Sequence, residues 1–321
     1  MKCVPLALSL LALTGQHTGA QEQTYRFERR VDVVAVDIAV TDDGRPVGGL
    51  TAADFEIRDN GVLQEIDRVQ VETAPVDAIL ILDTSMSVAG PKLGELRVAV
   101  GNFMAGLRNE DRVALVTFSG YVRLWQSLTT DRSVLSEALE GIDARGMTAL
   151  KDGLYGGLSL AGPSAQRPIV VLFSDGLDNA SWTSESELLE VVKESNAVVY
   201  AVCNSEPLSE EKKRRGTGYF GRSVDEPQDQ QRVWHGRFSV HTRLFRDRFL
   251  QRVAEDSGGR YFEIDDASSM EREFRRVVED IRSRYLLTYY PTGVADDGWH
   301  NLEVKLKNGK ADVRARRGYY Y

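Results

Sequence analysis

Apolar and polar residues change rhythm twice along this chain. Between Val31 and Val71 the apolar positions recur every second residue, with Val36, Ile38 and Val40 on one face of a strand. TDDGRP (41–46) reads as a turn. FEIRDNGVLQEI (55–66) reads as a hairpin, because Asn60-Gly61 supplies the positive φ angles that a two-residue connection needs. The far end has the same rhythm: RYLLTYYP (284–291) alternates, VADDGWH (294–300) turns, and NLEVKLKNGKADVRARR (301–317) reads as a hairpin around Asn308-Gly309. A few strands need a partner face to be stable, so the two ends are expected to pack together as one small sandwich-like β domain.

From Ala74 to Ser283 the pattern is different. Short continuous apolar runs recur in VDAILILD, RVALVTFS, PIVVLFSD and NAVVYAVC. Amphipathic stretches separate most of them: KLGELRVAVGNFMAGL, ALKDGLYGGLSLAG, SESELLEVVKES and FRDRFLQRVAED. Buried strands alternating with helices predict an α/β fold, a Rossmann-like doubly wound and mostly parallel sheet covered on both faces. VALVTFSGYVRLWQSL (113–128) breaks the alternation with a tight Ser119-Gly120 turn, which predicts an antiparallel edge strand. The expected organisation is an α/β domain over 75–283 inserted into a β domain built from 21–74 and 284–321. A long connection over 204–243 follows the strand NAVVYAVC.

Composition narrows the function classes. The chain has 321 residues, 42% of them hydrophobic, enough to bury a sizeable core, and a formal net charge of -8 that argues against nucleic acid or an anionic membrane as the main partner. The first twenty residues read as a signal peptide: one Lys, an apolar run from Val4 to Leu13, and the small-x-small end Thr18-Gly19-Ala20. That run is too short to span a bilayer, so the mature chain is expected to be exported, periplasmic or secreted. Of the two cysteines only Cys203 would remain, in a buried strand, leaving no internal disulfide.

The candidate chemistry lies where apolar runs end in oxygen atoms. VDAILILD ends at Asp83 and leads into Asp83-Thr84-Ser85-Met86-Ser87; PIVVLF ends in SDGLDN with Asp175; Thr148 follows Gly146 at the start of a helical stretch. In an open parallel sheet, ligands bind beyond the carboxyl ends of the strands. Two carboxylates and three hydroxyls on such loops suit Mg²⁺, which takes oxygen ligands, and do not suit zinc, which favours His and Cys. Taken singly, a Ser or Thr serves as a helix cap and an Asp as a turn residue; the ordered set of three is what points to a metal.

This set resembles the metal-ion-dependent adhesion site of von Willebrand factor A domains. The resemblance implies that Ser85 and Ser87 ligate Mg²⁺ or Mn²⁺ directly, Thr148 directly or through water, and Asp83 and Asp175 largely through water. Met86 stands where the family often has Gly, and Met147 replaces the second Gly of a common G-G-T, without loss of a ligand. VDIAVTDDGRPVGGLTAADFEIRDNGVLQEI and YLLTYYPTG with VRARRGYY further resemble the VWFA-related Acidobacterial domain proteins. The function implied is a binding module, with an Asp or Glu carboxylate of a protein partner filling an open position on the metal. A metal-dependent hydrolase and a protein whose metal only stabilises the fold are the alternatives. GTGYFG (216–221) follows no strand and opens no helix, so it is not read as a nucleotide loop. His235, His241 and His300 are read as solvated, and no histidine is expected near the metal to act as a base.

Overall fold

The computed structural model describes residues 33–162, 166–174, 178–204, 248–264 and 267–321. Five strands come first: β1 (Val34–Asp42), β2 (Arg45–Pro46), β3 (Phe55–Asp59), β4 (Val62–Gln64) and β5 (Ile66–Val71). The middle runs β6 (Asp77–Asp83), α1 (Pro91–Gly106), β7 (Arg112–Phe118), β8 (Val122–Thr129), α2 (Arg132–Glu140), α3 (Leu150–Leu160), β9 (Pro168–Ser174), α4 (Glu185–Glu194) and β10 (Val198–Asn204). It continues with α5, described over 248–256, β11 (Arg260–Ile264) and α6 (Ala267–Arg282). The chain closes with β12 (Tyr285–Tyr289), β13 (Trp299–Leu306), β14 (Asp312–Ala315) and β15 (Gly318–Tyr320).

The central sheet has the order β11-β10-β9-β6-β7-β8, and every neighbouring pair is parallel except β7–β8. The antiparallel edge strand follows from the short 119–121 turn, too short for a crossover. All seven residues of β6 are buried, and they alternate between two cores. Ala78, Leu80 and Leu82 face a cluster with Leu96 and Phe103 of α1, Leu135 of α2 and Phe274 of α6. Ile79 and Ile81 face Leu154 of α3, Leu188 of α4 and Leu250 of α5. Coverage on both faces explains the unbroken apolar runs. Helix α3 lies so close to the sheet that a Cβ on Gly157 would overlap Ile81, and one on Gly153 would overlap Phe118. That close approach holds the loop before α3 down on the sheet edge.

The chain ends pair with each other in two further sheets, β14-β1-β12-β5 with β2 beside β1, and β15-β13-β3-β4. The first hairpin forms as its turn residues predict: Asn60 and Gly61 have φ 46 and φ 81, and β3 pairs β4. The hairpin expected around Asn308-Gly309 does not form. Both edges of β13 are taken, by β3 and β15, so β14 goes to the open edge of β1 in the other sheet. His300 is also not a solvated turn residue. It lies in β13, fully buried, with Nδ1 2.8 Å from Asp59 Oδ1 and its ring stacked on Tyr321.

A buried polar network joins the first of these sheets to the central one. Arg284, just before β12, is fully buried; it pairs with Asp37 of β1 and reaches Asp280 of α6 and the Tyr200 hydroxyl of β10, each at 3.3 Å. Arg167 holds the same Asp37 at 2.9 Å, and Arg314 of β14 holds Asp280 at 2.5 Å.

Candidate metal centre

β6 lies between β9 and β7, so the chain leaves it towards one side and later returns on the other. That reversal opens a crevice at its carboxyl end, the usual ligand position in such sheets. The two acids of β6 sit at opposite ends of this strand. Asp77, at the amino end, is closed off by Arg112, whose Nε and Nη2 donate to its two oxygens at 2.7 and 2.6 Å. Asp83, at the crevice, is fully buried; the Ser85 backbone N–H donates to its Oδ1 at 2.9 Å, and the Ser174 hydroxyl of β9 donates to its Oδ2 at 2.8 Å.

Three loops meet there. In the first, Ser85 is buried and its Oγ lies 2.8 Å from Oγ of the exposed Ser87. The second is tied to it by backbone hydrogen bonds, Arg145 N–H to the Thr84 carbonyl at 2.7 Å and Met86 N–H to the Gly146 carbonyl at 3.1 Å. Gly146 sits at φ 85, a region costly for other residues, and this turn delivers the buried Thr148 to the crevice. The third loop grips Thr148: its N–H donates to Asn179 Oδ1 at 2.9 Å, while its carbonyl accepts from Asn179 N–H at 3.0 Å and Ala180 N–H at 3.1 Å. Asp83, Ser85, Ser87 and Thr148 are thus brought to one cluster of hydrogen-bonded loops. Asp175, the fifth expected ligand, lies outside the described residues, as do His235 and His241 and all of the 204–243 connection after Asn204.

The donor set fits a hard cation. Ligands ~2.1 Å from an octahedral Mg²⁺ stand about 3 Å apart, and the Ser85 and Ser87 hydroxyls are already 2.8 Å apart. Among the described residues no three His, Cys, Asp or Glu side chains gather to hold a metal. Around the site the third loop is stiffened by Asp152 of α3, which accepts from the Trp182 and Thr183 backbone N–H groups at 3.0 and 2.9 Å. Burial acts to raise the Asp152 carboxyl, but the donors at Thr183 and Trp182 and the charge of Lys151 outweigh it and hold the carboxyl below its ordinary range. Each loop also presents a large apolar side chain to solvent: Met86, Met147 and Trp182, the last of them 95% exposed.

Two positioning residues were not legible as such in the sequence, Ser174 and Asn179. Both fall within SDGLDN, and the only signal was the polarity of that stretch directly after a buried strand.

Comparison with known proteins agrees with this architecture. The family model of the von Willebrand factor type A domain matches residues 78–177. Inter-alpha-trypsin inhibitor heavy chain H3 of Homo sapiens is 26% identical over 132 residues, 37% of this chain and 15% of that protein. Voltage-dependent calcium channel subunit alpha-2/delta-2 of Homo sapiens is 28% identical over 120 residues, 34% of this chain and 10% of that protein. The chain therefore matches only a small part of these relatives' length. A solved von Willebrand factor type A structure from Catenulispora acidiphila superposes with a TM-score of 0.50 at 14% identity, covering 85% of this chain and 74% of that one, a likeness of fold. Within the central α/β part of this chain, residues 78–177 thus match the von Willebrand factor type A domain.

Proposed function

We propose that this domain is an exported binding module that holds Mg²⁺ or Mn²⁺ on Ser85, Ser87 and Thr148, with Asp83 and Asp175 behind them, and engages an Asp or Glu carboxylate of a protein partner. The observation that carries the reading is the pair of Ser85 and Ser87 hydroxyls 2.8 Å apart above the buried Asp83 carboxylate, at the reversal of the central sheet. When bound, the cation would supply an electrophilic position for a carboxylate oxygen. The chain's own part is to orient that position: Asp83 fixes the Ser85 loop, Ser174 fixes Asp83, and Asn179 fixes Thr148. Met86, Met147 and Trp182 form an apolar rim suited to a partner surface. The match of residues 78–177 to the von Willebrand factor type A domain supports binding over catalysis.

Around it, the two chain-end sheets act as one sandwich-like support, 21–74 with 284–321, into which 75–283 is inserted. Phe55 packs edge-on to Tyr285 at 6.2 Å across these sheets, and the Tyr289 hydroxyl donates to Asp59 at 2.7 Å. The resemblance of those flanking strands to the VWFA-related Acidobacterial domain proteins supports this reading. Export rests on the leader-like first twenty residues; among the described residues no helix is long and apolar enough to cross a membrane.

The experiment is calorimetric titration of Mg²⁺ and Mn²⁺ into the wild type, Asp83→Ala and Ser85→Ala, with circular dichroism as a check on folding. The expected result is saturable binding by the wild type and its severe loss in both folded variants. Undiminished affinity in both would remove the site.

A further inference from the structure

Next to the metal loop the surface opens into a shallow cleft whose lining includes Thr84, Thr117, Arg123, Trp125, Asp143 and Arg145. We propose that this cleft is a second recognition subsite, which takes an additional acidic side chain of the same peptide segment whose carboxylate meets the metal loop. The proposal rests on the reading of the Asp83 loop as a partner-binding site, and it names what that partner must look like: two acidic residues close in sequence.

The arginines carry the argument. Trp125 is locked from both sides, its Nε1–H donating to the Thr117 hydroxyl at 2.9 Å and its ring edge lying against Gly141. The Arg123 guanidinium sits 3.6 Å from the centroid of that ring. Stacking of this kind holds the planar group by its face and leaves its N–H edge free to bond outward. Among the described residues no carboxylate pairs with Arg123. Arg145, also in the lining, faces Asp143 at 3.7 Å, and both side chains are largely exposed, so the pair is weak and readily exchanged. Two arginines against the single acid Asp143 leave this cleft with a net positive charge on a chain of net charge -8, and that local field draws an anion in.

The cleft is built on the same backbone as the metal loop. Thr84 lies between Asp83 and Ser85 and also lines the cleft, while the Arg145 N–H donates to the Thr84 carbonyl at 2.7 Å. A peptide with one carboxylate at the Ser85–Ser87 hydroxyls therefore passes over Thr84, where a second acid meets the Arg123 fork. A guanidinium prepositioned by stacking loses less freedom on binding a carboxylate than a free side chain does.

The test uses fluorescent synthetic peptides with one Asp flanked by glycines, and matched peptides with a second Glu after none to four intervening glycines. Binding to the full chain is measured by anisotropy, in Mg²⁺ and in chelator, for the wild type, Arg123→Gln, Arg145→Gln and the remote exposed control Arg68→Gln. The expected result is that one spacing binds ~tenfold tighter than the single-acid peptide, the scale of one charge-assisted pair. Arg123→Gln removes that preference while Arg68→Gln keeps it. A wild type that does not distinguish the peptides overturns the proposal, as does a preference that survives in both Arg123→Gln and Arg145→Gln. Displacement of the diacidic peptide by inorganic phosphate as effectively as by unlabelled peptide also overturns it, since the cleft would then be a simple anion site. If the preference depends on Arg123 but no binding depends on Mg²⁺, the cleft stands and the metal reading fails. If the single-acid peptide binds only with Mg²⁺ and the second acid adds nothing, the metal reading stands and the cleft fails.

Discussion

Replacing Arg284 by Met tests what holds the chain-end strands to the central sheet. The arginine is fully buried and spends its whole fork on protein groups: the Asp37 and Asp280 carboxylates, the Tyr200 hydroxyl, and the carbonyls of Asp37 at 3.2 Å and Gly258 at 3.0 Å. Burial alone would push both carboxyls up. The charges of Arg284 and Arg167 on Asp37, and of Arg284 and Arg314 on Asp280, outweigh it and hold both below their ordinary range. Methionine fills similar space but leaves two carbonyls short of a donor and each buried carboxylate with a single arginine. Breaking a buried ion pair from one side costs about 3–5 kcal/mol, and here the remaining Arg167 and Arg314 soften the loss while the two carbonyls add to it. The expected destabilisation of Arg284→Met is therefore about 3–5 kcal/mol, read from urea unfolding at neutral pH. The pH dependence gives a second check. A carboxyl whose pKa is lowered by folding adds stability that is complete above its unfolded value near ~4 and is lost as pH falls through the folded value. Arg284 supplies part of that lowering, so the gap between wild type and variant should narrow as pH drops below about 4. A gap under ~1 kcal/mol at neutral pH, or one that widens on acidification, would refute the reasoning.

Three further outcomes are expected. Asp59 accepts from the Tyr289 hydroxyl at 2.7 Å, the Tyr319 hydroxyl at 2.8 Å and contacts His300 Nδ1 at 2.8 Å; Asp59→Ala strands these groups in the interior and should cost ~2–4 kcal/mol in thermal melts, with Asp59→Asn costing less because one acceptor remains. A Cβ on Gly259 would overlap the Val199 carbonyl of β10, backbone that cannot swing aside, so Gly259→Ala should lose at least ~2 kcal/mol by urea titration; a neutral result would show that β10 and the 257–259 turn can separate. Ending the chain at residue 283 removes β12–β15, the partners of β1, β3 and β5, and should leave an aggregating fragment by light scattering, whereas a soluble monomer with native strand content would contradict it.

The local code of this protein was readable because it depends on near neighbours. Continuous apolar runs at 77–83 and 168–174 could only be strands buried on both faces, and Asn60-Gly61 could only favour a tight hairpin. Parallel strands put all their carboxyl ends together, so from the sequence alone the oxygen-rich ends of those runs are expected at one sheet edge. Tertiary structure decided what depends on distant partners. Asn308-Gly309 carried the same turn signal as Asn60-Gly61, yet β13 and β14 part company because β3, β15 and β1 offer better ladders. His300 looked like a turn residue, but Asp59, 241 positions away, gives its ring a buried hydrogen bond. Arg123 and Trp125 sat in an ordinary edge strand, and only packing against the 143–146 loop turned them into the wall of a cleft. A strand's propensity is written in its own residues, whereas its partner, and the fate of each polar group it carries, is settled by which distant backbone and side-chain groups complete the hydrogen bonds.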